Sequence, residues 1–215
     1  MLPNRDESLD ALCDAIAAHD WDRCVEQSFR LLFTLPADAG RDIARETVAR
    51  YAATFRRGTR ELTWPDEILS DPVAWSREHG RATGETPPHL GVADDNWLVC
   101  LDALLLAVAE DTDLVVRTAA CATATVTALN SRALAVWEVD DPEAVRLWRA
   151  GLLPPWRTYQ SNASARAVLE REWWWTARRL AEAVGRTPAP HLDPEEVEAG
   201  VERWRNHEYR LILPA

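Results

Sequence analysis

The sequence predicts an all-α protein: an irregular antiparallel helical bundle or array of about seven to nine helices around a buried helical hairpin at about 96–129. Three observations predict it. The run from Asn96 to Ala109 is apolar at nearly every position, with Asp102 its one interior charge. Glycine is scarce, at 8 residues, while alanine and leucine are abundant, which favours helix over sheet. Helix-start signals recur along the chain, such as Asp141-Pro142-Glu143 and Asp193-Pro194-Glu195.

Taken in order, Ser8 caps a helix to about His19, with Leu9, Leu12, Cys13 and Ile16 on one face. Asp20 or Asp22 starts a second, Trp21 to Thr34, and Pro36 begins a third that continues to about Arg57. The stretch from Thr59 to Asp94 is rich in proline and glycine. It has room for two short helices, Asp66 to Ser70 and Pro72 to His79, and for a mobile loop over 80–94.

The central helix follows. Asp94, Asp95 and Asn96 are its N-cap candidates. A surface helix has a polar face and this one has none, so protein should surround it. It is shorter than the roughly 20 apolar residues a membrane span needs. Its partner, Leu114 to Leu129, is capped by Thr112 or Asp113 and carries many small residues that let two helices approach closely. Asp102 and Arg117 then lie on facing helices. A core pairing of Asp102 with Arg117 or with backbone is the reading preferred over a buried catalytic acid, because unpaired buried charge is costly. Ser131 to Val139 is ambiguous between helix and strand. Helices from Asp141 to Ala150, from Ser164 to Val184 and from Asp193 to about Glu208 complete the chain, with an apolar tail at Leu211-Ile212-Leu213. Leu9-Asp-Ala-Leu12 recurs as Leu101-Asp-Ala-Leu104, a coincidence expected among Ala/Leu-rich helices rather than a duplicated hairpin.

The length fits a single domain over 1–215. A net charge of −11 opposes binding to nucleic acid or to anionic membrane. All 24 basic residues are arginine, which removes the phosphate-binding lysine of a P-loop. Cys13, Cys24, Cys100 and Cys121 form no CxxC pair and read as reduced thiols. With a polar N-terminal stretch, they give a cytoplasmic expectation. Metal-binding HExxH and nucleophile-elbow GxSxG patterns are absent, so the expectation is no catalytic residue, no metal and no cofactor.

Tryptophan is the unusual component, at 11 residues. Trp173 shares the core stripe of its helix with Leu169, Ala177 and Leu180. Trp174 and Trp175 turn away from it by about 100° steps, so at least one indole should reach a surface. Trp64, Trp75 and Trp156 sit in proline-rich segments and are groove candidates. Glu170 and Glu172 flank the tryptophan run and could supply an acid beside apolar rings; solvated pairing with Arg171, Arg178 and Arg179 is the plainer account. His79 and His89 flank the loop, and loop polarity explains them better than a metal site. The function expected is that of a soluble binding protein, in one version an acidic inhibitor or immunity-type protein that neutralises a basic protein partner. The alternatives are an enzyme or small-ligand binder with a Trp-lined pocket, and a self-associating subunit joined through Leu211 to Leu213.

Overall fold

A computed structural model describes residues 5–55, 62–79, 92–110, 112–150 and 160–186, and beyond them Glu195, Glu198, Ala199 and Glu202. Among the described residues there are nine helices and no strand: α1 (Arg5–Ala17), α2 (Trp21–Phe33), α3 (Ala37–Phe55), α4 (Trp64–Ser70), α5 (Pro72–His79), α6 (Val92–Val108), α7 (Leu114–Asp140), α8 (Pro142–Arg149) and α9 (Ala163–Arg186). The expected all-α array is therefore present.

Local capping explains the starts of α2, α7, α8 and α9. Asp20, Asp113, Asp141 and Asn162 each accept a hydrogen bond from the backbone N–H three residues on, at 3.1, 2.9, 3.0 and 2.9 Å. Between α1 and α2, His19 takes a left-handed backbone, φ 55°, where glycine is the usual occupant. Its ring stacks on Trp21, centroids 5.3 Å apart, and its Nε2 lies 3.4 Å from Glu170.

The centre of the array is α7, which packs against α2, α3, α6, α8 and α9. Its 27 residues make a rod of ~40 Å. Its alanines Ala119, Ala120, Ala122, Ala124 and Ala128 are all buried, as are Trp97, Leu101, Leu104 and Leu105 of α6, the helix it packs against most extensively. Hydroxyls on this helix return to carbonyls one turn back: Thr118 to Leu114, Thr125 to Cys121 and Ser131 to Thr127, each at 2.8 Å. That lets these three hydroxyls be buried without an orphaned donor. Trp97 is fully buried, and its indole N–H donates to the Val48 carbonyl of α3 at 2.9 Å.

Several sequence expectations of where helices start and stop change, beginning with Ser8, which lies inside α1 rather than capping it. The central pair does not end at Leu129: α7 runs on through Ser131–Val139, because nothing breaks it before Asp141-Pro142. Asp94, Asp95 and Asn96 do not precede α6 but lie inside it, the helix having begun at Val92. The expectation that Asp102 is buried with a partner holds, but no ion pair joins it to Arg117, whose buried Nε has no hydrogen-bond partner among the described residues. Of the loop expected over 80–94, residues 92–94 belong to α6, while 80–91, the expected last helix apart from the four residues named, and Leu211–Leu213 lie outside the described residues. No helix among the described residues is long and apolar enough to cross a membrane.

Candidate functional site

The charged centre of the molecule is Glu172. It lies three residues after Leu169 and one before Trp173, inside the buried arc of α9 that also holds Thr176, Ala177 and Leu180. Its carboxylate is 1% exposed and serves three guanidiniums. Arg50 of α3 approaches with Nε at 2.9 Å from Oε2 and with a second nitrogen at 3.3 Å from Oε1. Arg132 of α7 donates to Oε2 at 3.1 Å, and Arg171 to Oε1 at 3.2 Å. Burial alone would push the Glu172 carboxyl up. The hydrogen bond from Arg50 and the charges of Arg132 and Arg50 outweigh it and hold the group below the usual carboxylate range. Glu172 is accordingly an anion at neutral pH and is unsuited to be a general acid. The expectation of a solvated Glu172 on an exposed helix face is corrected: long-range arginines make its burial affordable in a way the local sequence does not display.

Three cations against one anion leave this cluster with excess positive charge. Desolvation lowers the pKa of Arg132, Glu172 raises it, and the like charges of Arg50 and Arg171 lower it again, with a net downward shift. Arg132 is 24% exposed and, among the described residues, makes one hydrogen bond, to the shared carboxylate. It opens onto a groove of about 270 Å³ lined by Tyr51, Arg132, Ala135, Val136, Val139, Asp140, Val168 and Arg171. Val139 stands 80% exposed at its side. The walls of this groove are mostly valine and arginine, and Tyr51 is the one aromatic residue among those lining it.

The residues singled out from the sequence separate into two groups. Glu172 and Trp175 come together: Arg50, paired to Glu172, also lies over the Trp175 ring at 4.3 Å. Trp174, on the outer face of α9, is 42% exposed. Glu170 is partly exposed beside His19 and does not join the cluster. Trp64 and Trp75 are half-buried on α4 and α5, packed against the core rather than lining the groove. The Trp75 ring stacks on His79, centroids 4.1 Å apart. Trp156 and His89 lie outside the described residues. No group of three or more His, Cys, Asp or Glu among the described residues could hold a metal ion.

Sequence reasoning passed over Arg50 and Arg132. Arg132 carried a signal, as a lone charge in the alanine- and leucine-rich run after Ser131. Arg50 carried none, being one of several charges on the polar side of α3. No family model, no curated protein and no solved structure matches the chain.

Proposed function

We propose that the protein is a binding protein whose groove between α7 and α9 takes a small ligand with an anionic end and an apolar body. The observation that carries this reading is Arg132, a partly desolvated guanidinium in a cluster with surplus positive charge, set at an apolar groove. A carboxylate there would gain charge-assisted hydrogen bonds, while valines accept the rest of the ligand. The test is titration with isovalerate and with its uncharged amide, read by tryptophan fluorescence through Trp175. The carboxylate should bind, the amide should not, and Arg132→Gln should remove the difference. Equal binding of acid and amide would sink the reading.

A second reading is favoured by a different surface. Asp6, Glu7, Asp10, Asp14, Asp20 and Asp22 are all exposed, with no arginine between the first and the last. Much of the net negative charge therefore sits at the α1–α2 corner, which supports an inhibitor or immunity-type protein that covers a basic partner. Such a partner should be recovered stoichiometrically at low salt, be released at high salt, and be lost on joint replacement of Asp6, Glu7, Asp10 and Asp14 by their amides. Retention by that variant would point away from this corner. For either reading we place the protein in the cytoplasm. The four free cysteines support this, with burial pushing the Cys24 and Cys121 thiols up to about 12 and so disfavouring the reactive thiolate.

A further inference from the structure

Among the described residues, the groove carries opposite charge without full compensation at its two ends, and both ends belong to α7. Arg132 stands at one. Asp140, the last residue of the helix, stands at the other, ~12 Å further along the axis. Ala135, Val136 and Val139 lie between them on the same face. At the Arg132 end, three guanidiniums share one carboxylate. At the Asp140 end the balance is reversed. A helix C-terminus carries partial negative charge, and the last turn of α7 holds no basic residue to meet it. Asp140 is exposed and has no hydrogen-bond or ion-pair partner among the described residues. The neighbouring Asp141 is already engaged, capping α8 through the Ala144 N–H at 3.0 Å.

We propose that the occupant of this groove is a short apolar peptide with free termini, its carboxylate on Arg132 and Arg171 and its ammonium against Asp140 and the end of α7. The proposal rests on the binding reading given above and names the ligand class for the same site. An extended chain advances ~3.3 Å per residue, so three or four residues cover the ~12 Å between the charged ends. Side chains of such a peptide would meet Val136, Val139, Val168 and Tyr51 along the walls. A single amino acid holds its two charges too close together to reach both ends. A fatty acid would satisfy Arg132 but set hydrocarbon beside Asp140, leaving the carboxylate and helix end without a cation.

The experiment is calorimetric titration of the whole chain with the tripeptide Val-Ala-Val in four forms: both termini free, N-acetylated, C-amidated, and blocked at both ends. The free form should bind, and blocking either end should weaken it about tenfold or more, the loss of one charge-assisted contact. Arg132→Gln should abolish the sensitivity to amidation alone, and Asp140→Asn the sensitivity to acetylation alone. Arg171→Gln, at a side chain 62% exposed, supplies a second probe of the anionic end should Arg132→Gln unfold the protein. If amidation weakens binding and acetylation does not, the peptide proposal is overturned while the anion reading stands. If the doubly blocked peptide binds as well as the free one, or no form binds, both fall together.

Discussion

The two halves of α7 are built from different chemistry. From Thr118 to Leu129 the helix buries small side chains, and the hydroxyls of Thr118, Thr123 and Thr125 close on their own helix. From Arg132 to Asp140 its other face shows a guanidinium, two valines and a carboxylate to a groove. The first half settles these three hydroxyls within one turn. The second depends on residues brought from α3 and α9, and its charges remain unbalanced at both ends. One continuous helix thus joins a seam that fixes the packing to a face with unmet electrostatic demand among the described residues, and that contrast is the ground for proposing that binding falls to the second half.

The seam should be the more fragile to truncation. Trp97→Ala deletes a fully buried indole and its bond to Val48, and should destabilise the protein by about 3–5 kcal/mol in denaturant unfolding. A loss under about 1 kcal/mol would mean that α6 is not a central element.

Glu172→Gln probes the other half. Breaking a wholly buried ion pair costs about 3–5 kcal/mol; because Arg50, Arg132 and Arg171 are partly solvated, about 2–3 kcal/mol is expected here. The effect has a pH signature. The folded carboxyl is held below its ordinary range, so the unfolded chain takes up this proton at higher pH than the folded one. The stabilisation is complete above the ordinary carboxylate pKa and is lost as pH falls through the lowered folded value. Unfolding curves of the wild type and Glu172→Gln should therefore converge in acid; a gap that stays constant would show that the loss is one of packing.

Smaller changes sharpen the contrast. Gly40 lies in α3 beside the seam, where an added methyl would meet Cys121 Sγ and Leu32 Cδ2 at 3.8 Å, ordinary contact distance. Gly40→Ala should raise stability by about 0.5–1 kcal/mol, measured by thermal or denaturant unfolding. Val139→Ser, in the exposed half, should alter stability by less than about 0.5 kcal/mol yet weaken ligand binding in the groove. Reduced stability with unchanged binding would reverse the roles assigned to the two halves.

The seam was also the half the sequence displayed. The all-round apolarity of Asn96–Ala109 and the alanines after Leu114 are local patterns, and local patterns report burial. Asp20, Asp113 and Asp141 announced their helices for the same reason. The continuation of α7 was harder to read, since Asn130 and Ser131 are weak helix formers and only the absence of glycine and proline argued for it. The site was hidden for a physical reason. Glu172 reads as one more charge between Arg171 and the tryptophans, and its burial is decided by arginines 122 and 40 residues away in sequence. Trp173 was legible as core because its stripe is local. Asp10 and Asp102 make the same point: they occupy matching places in the repeated Leu-Asp-Ala-Leu, yet one is exposed and the other buried.

The absence of lysine gives the groove a particular kind of permanence. A guanidinium keeps its proton at any pH at which such a fold survives, and it cannot be acetylated as an amine can. The positive end of the groove therefore has no off state of its own through protonation or lysine modification. Control of occupancy would fall to the ligand's ionisation: an acid that is captured as its anion would be released when it takes up a proton.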